Sequence, residues 1–141
     1  MSRRQHRVLL VREWDEQLSG SGCCGRLGSE VTSVIDGDGE DPYACVRGDM
    51  ERVGEVYRAL RDRFDEDELE VTVVDPRNTV ALLPAIWRDA RRRGMSVTAT
   101  LRQLNAATAA CAVVVDGKVL TKVVDPARAV AEVEADLLAR A

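Results

Sequence analysis

The chain has a single histidine, no Gly-x-Ser-x-Gly elbow and no glycine motif leading into a helix. A serine-hydrolase triad and a phosphate-cradling loop both lack their residues. No apolar run approaches the roughly 20 residues that span a bilayer, so no membrane partner is expected. The basic start from Met1 to Arg7 leads only into a strand-length apolar stretch, with neither the apolar region nor the cleavage site of a signal peptide. A cytoplasmic location is the expectation, where thiols are kept reduced. The net charge of -4 argues against general nucleic-acid binding, so no nucleic-acid partner is expected. Arg91-Arg92-Arg93 and the basic N-terminus then read as solvated surface, as does His6. Cys-x2-4-Cys spacing is also missing, which weighs against zinc or an iron–sulfur cluster, and four unevenly spaced cysteines do not read as a secreted disulfide framework.

What is present describes one globular domain over residues 1–141, with 45% hydrophobic and 31% charged residues. Val8-Leu9-Leu10-Val11 has the length of a buried strand. A long Gly/Asp-rich loop follows at about 15–48, and loops of that length inside a domain are usually functional. Its run Asp36 to Asp41 lacks the alternating ligands and closing glutamate of a calcium loop and reads as an acidic turn. From Asp49, a candidate N-cap, Val53, Val56, Tyr57, Leu60 and Phe64 recur at helical spacing. Leu69 to Val74 predicts a second strand, stopped by Asp75-Pro76.

Val80 to Arg93 predicts a helix with Leu82, Leu83, Ile86 and Trp87 inside, closed by Gly94. Pro84 removes an amide donor from that span, which suggests that regular helix begins near it. Thr98 to Asn105 predicts a short helix. Cys111 to Val115 and Val119 to Val124 form a hairpin about Asp116-Gly117. Asp125-Pro126 then opens a last helix as N-cap and first residue, with Ala129, Val130, Val133 and Leu137 on its buried stripe.

The chemistry-bearing residues are the cysteines. Cys23 and Cys24 are adjacent in the run Ser19-Gly20-Ser21-Gly22-Cys23-Cys24-Gly25-Arg26, Cys45 stands ahead of the first helical pattern, and Cys111 heads a strand. Three thiolates can form a trigonal site for arsenite, antimonite or another thiophilic metal or metalloid, and a Gly-Ser loop lets distant sulfurs converge. A vicinal disulfide between Cys23 and Cys24 would be strained and easily reduced, as a switch requires. Arg26 would favour the thiolate if it faces the sulfurs. Core packing is the plain alternative for Cys45 and Cys111, since a buried cysteine behaves as a small hydrophobe.

The order strand, helix, strand, helix, short helix, hairpin, helix resembles the thioredoxin-like fold over nearly the whole chain. The resemblance implies an α/β architecture, a four-stranded mixed sheet flanked by helices, with reactive cysteines between the first strand and the first helix. Cys23, Cys24 and Cys45 fall there. In that family a cis-proline precedes the third strand, and Cys111 stands near the matching position. Arg26 occupies the place of the second cysteine of a Cys-x-x-Cys motif, which counts against an ordinary dithiol oxidoreductase. The order of the cysteines is closer to the arsenical-resistance metallochaperones, where a Cys-Cys pair follows the first strand and another cysteine precedes the first helix; the separation of Cys24 from Cys45 is longer here.

Three functions are therefore expected in turn: a cysteine-based soft metal or metalloid site, or redox sensor, using Cys23, Cys24, Cys45 and Cys111; a non-catalytic interaction module with incidental cysteines, binding a protein partner or a second copy; and an atypical thiol oxidoreductase. No cofactor is certain; the candidate is a thiophilic metal or metalloid.

Overall fold

The computed structural model describes residues 5–12, 44–109, 111–122 and 125–141. Among them the elements are β1 (His6–Val11), α1 (Ala44–Arg63), β2 (Leu69–Val74), α2 (Thr79–Arg92), α3 (Val97–Ala107), β3 (Ala112–Val115), β4 (Lys118–Lys122) and α4 (Pro126–Leu138). The strands form one four-stranded sheet in the order β2-β1-β3-β4. β1 pairs in parallel with β2 and antiparallel with β3, and β3 pairs antiparallel with β4. The expected α/β architecture with a four-stranded mixed sheet is therefore present.

Alternation along the central strands divides the core into two layers. Val8 and Leu10 of β1, with Val113 and Val115 of β3, pack against Val53, Val56 and Leu60 of α1 and Ala129 and Val133 of α4. Leu9 and Val11, with Ala112 and Val114, face Leu82 and Ile86 of α2 and Ala107 of α3. Val8, Leu10 and Val11 are fully buried, as befits a central strand covered on both faces. Burial of each such side chain contributes about 1.5–3 kcal/mol.

Local signals explain most boundaries. Asp125 caps α4, its carboxylate accepting from the amides of Ala127 and Arg128, and Pro126 follows as first residue. Gly94, at φ 89°, ends α2 in a double-bonded C-cap: the Met95 amide donates to the Ala90 carbonyl and the Gly94 amide to that of Arg91, both at 3.1 Å. Asp116 (φ 44°) and Gly117 (φ 79°) make the two-residue turn between Val115 and Lys118, and positive φ at both central positions identifies type I′.

Four expectations need correction. α1 begins at Ala44, not at Asp49, so Gly48 lies within it and Cys45 is in its first turn. The helical glycine costs about 1 kcal/mol, and the burial of Val53, Val56 and Leu60 further along outweighs it. α2 is regular from Thr79 through Pro84, because Pro84 is on the exposed side of the helix, where the carbonyl it leaves without an amide can be hydrated. Trp87 is 38% exposed rather than inside, since Leu82, Ile86 and Ala90 already fill the space over the sheet. Cys111 precedes β3 instead of belonging to it. The expected strand end at Val123 and Val124 lies outside the described residues.

Candidate functional site

In an open α/β sheet the carboxyl ends of the parallel strands are the usual place for a site, because the loops that leave them surround a crevice. Here that end is marked by Arg12, Asp75, Arg77 and Cys111. The Arg12 amide continues the ladder, donating to the Val74 carbonyl at 3.0 Å. Asp75, 9% exposed, ends β2 and gathers Arg77 around itself: it accepts from the Arg77 amide at 2.8 Å and from its guanidinium Nε and Nη2, each at 3.1 Å. The Asp75 carbonyl accepts from Asn78, whose side chain caps α2. One carboxylate thus stops a strand and leads into the helix start.

Cys111 sits beside the end of β1. Its amide donates to the Val11 carbonyl at 2.8 Å, and its side chain is buried in the layer that α1 and α4 cover. Its φ is 63°, in the left-handed region that residues with a Cβ adopt at a cost of about 1–2 kcal/mol. Glycine would be the residue of choice for that backbone alone, so a cysteine there holds a sulfur at the head of β3 against a conformational penalty.

The expected thiol site can be followed only in part. Cys23, Cys24 and Arg26 lie outside the described residues. The backbone of Cys45 is in the first turn of α1, and its side chain is also outside them. α1 returns toward the amino end of β2 through residues 64–68, so its first turn starts from the carboxyl end of the sheet, the end where Cys111 stands. Among the described residues no group of three or more histidine, cysteine, aspartate or glutamate side chains could hold a metal ion.

A second polar assembly, not expected from the sequence, occupies the opposite end. His6 Nδ1 lies 2.7 Å from Asp116 Oδ2, the Arg7 amide donates to Asp116 Oδ1 at 2.8 Å, and Arg140 reaches the same carboxylate at 2.6 Å. Arg140 also lies 2.8 Å from Asp136, which Arg93 grips through two nitrogens at 2.5 and 2.9 Å. Lys118 stands 3.6 Å from Asp136, and Arg7 bridges Glu70 at 3.1 Å and Asp89 at 3.3 Å. His6 and Arg93 are therefore part of this assembly and not solvated surface, while Arg91 and Arg92 are exposed as expected.

Burial pushes both carboxyls up, but the opposing interactions prevail and hold each below its ordinary value. For Asp116 these are the Arg7 amide, His6 and Arg140; for Asp136, Arg93, Arg140 and Lys118. Both groups are thus carboxylates at neutral pH and are engaged by cations, which suits fastening and not proton transfer. Their stabilisation is complete above the unfolded value near 3.8 and is lost as pH falls through the lower folded values. An Asp116→Asn, Asp136→Asn variant should accordingly be less stable than the parent at neutral pH, and the gap should narrow below about pH 4, as urea midpoints across that range will show.

No family model, curated protein or solved structure matches the chain. Among the described residues no helix is long and apolar enough to cross a membrane.

Proposed function

We propose that the chain is a thioredoxin-like protein that binds a soft metal or metalloid, or responds to oxidation, through Cys23 and Cys24 with Cys45 or Cys111 assisting. The observation that supports this reading most is Cys111: a sulfur carried on left-handed backbone beside the end of β1, at the sheet end from which α1, with Cys45 in its first turn, also starts. The chain between these two ends, residues 13–43, contains Cys23 and Cys24. Soft thiolates in a set of three favour trivalent arsenic or antimony over hard cations, and Arg26, two residues from Cys24, would supply positive charge to lower a thiol's pKa.

Titration of the reduced protein with a trivalent arsenical tests this. The parent should bind one equivalent tightly, a Cys23→Ser, Cys24→Ser variant should lose at least about a hundredfold in affinity, and single Cys45→Ser and Cys111→Ser variants should divide into one that weakens binding and one that does not. Binding that survives in the double variant would sink the reading.

The interaction-module reading draws on a different observation, the exposed Val80 and Trp87 of α2. Replacement of all four cysteines with no change in stability or in partner binding would favour it over the thiol site.

A further inference from the structure

α2 presents an outer face of apolar and basic side chains. Val80, Pro84 and Trp87 recur at spacings of four and three, so they form one stripe, with Ala81 beside them. Val80 is 86% and Trp87 38% exposed, while Leu82 and Ile86 bury the other side against the sheet. The stripe continues into Arg88, Arg91 and Arg92, all exposed. The only carboxylate within Thr79–Arg92 is Asp89, which is 7% exposed, is engaged by Arg7 at 3.3 Å and lies 3.7 Å from Arg88, whose side chain is still 52% exposed. In a chain of net charge -4, this face bears apolar surface and arginines and no exposed carboxylate. Pro84 also leaves the carbonyl of Val80, on the same stripe, without a helical amide donor.

Charge and size decide between occupants. Antiparallel pairing of α2 with its own copy would set Arg91 and Arg92 against the partner helix's N-terminal end, positive against positive. A helix of 14 residues is about 21 Å long, so its outer face covers a few hundred Å² at most, short of the roughly 800 Å² per partner of a stable globular interface. A nucleic-acid strand would need cations along its track, and the half of the stripe formed by Val80, Ala81 and Pro84 offers none. We infer that the outer face of α2 docks a short acidic segment of a partner protein, whose apolar side chains lie on Val80, Pro84 and Trp87 and whose carboxylates pair with Arg88, Arg91 and Arg92. The inference rests on no thiol.

The test uses the full chain and two fluorescein-labelled synthetic peptides. Each carries a leucine–phenylalanine stripe at helical spacing, followed by three glutamates in one and three lysines in the other. Anisotropy should show binding of the glutamate peptide, weakened by added salt, and at least about tenfold weaker binding to Trp87→Ala and to the triple variant Arg88→Glu, Arg91→Glu, Arg92→Glu. The triple variant should in turn bind the lysine peptide, a gain that a merely unfolded protein would not make. Equal binding of both peptides to the parent, binding of neither, or no exchange of preference in the triple variant would overturn the inference. So would displacement of the glutamate peptide by a single-stranded oligonucleotide, or a parent dimer in sedimentation that Trp87→Ala dissociates.

Discussion

A Gly117→Ala protein is expected to be less stable than the parent by about 3 kcal/mol, since two separate costs meet at that position. The backbone is at φ 79°, and a Cβ placed there would stand 2.3 Å from the Ala90 amide nitrogen and 2.7 Å from both Ala90 Cα and Cβ. The contact is with helix backbone in the buried part of α2, which cannot swing aside as a flexible side chain would. The hairpin turn and α2 would have to move apart, loosening the layer around Leu82 and Ile86. Gly94 is an internal control: its φ is 89°, yet nothing lies within 4 Å of the position its Cβ would take. Gly94→Ala should therefore cost only about 1–2 kcal/mol, the conformational part alone. Urea denaturation of the two variants separates close approach from backbone conformation. Equal losses would show that the proximity of Gly117 to Ala90 has no energetic weight.

Asp136→Ala should also cost about 3 kcal/mol, near the lower limit for breaking a buried ion pair. Arg93, whose side chain is 12% exposed, would lose two charge-assisted bonds and keep only its contact with the Val115 carbonyl at 3.2 Å. Arg140 is 23% exposed and can be hydrated more readily, which keeps the loss from being larger. The cost comes mainly from stranding a cation, so removing that cation as well should recover much of it. A double variant, Arg93→Met with Asp136→Leu, is expected to lie closer to the parent than Asp136→Ala does in the same denaturation series. A double variant less stable than the single one would mean that the pair itself, and not the stranded charge, supports this end of the fold.

Local chemistry explains which parts of the fold were legible in the chain. β2 could be read to its ends because a Val-rich run stops at Asp75-Pro76, and α4 because Asp125-Pro126 is a cap followed by the one helical position that welcomes proline. Asp116-Gly117 announced its turn through the positive φ that the pair tolerates. α1 starts upstream of Gly48, a local signal for a break that tertiary packing overrides. Trp87 followed the right period but lay one step beyond the edge of the buried arc. The charged assembly was not legible, because residues 6, 93, 116, 136 and 140 meet only after the sheet and helices form. Only the four-residue spacing of Asp136 and Arg140 hinted at it. The candidate thiol residues were legible as residue types, and the left-handed backbone of Cys111 was not, since nothing in the neighbouring sequence demands it.

The central claim is that sulfurs from different parts of the chain act together, and it is tested most directly by X-ray absorption at the arsenic edge of the reduced protein loaded with one equivalent of arsenite. Three sulfur ligands are expected in the parent, with one sulfur replaced by a lighter atom in whichever of Cys45→Ser or Cys111→Ser removes the assisting thiol. Arsenic bound by two sulfurs or fewer in the parent, unchanged in both variants, would contradict it.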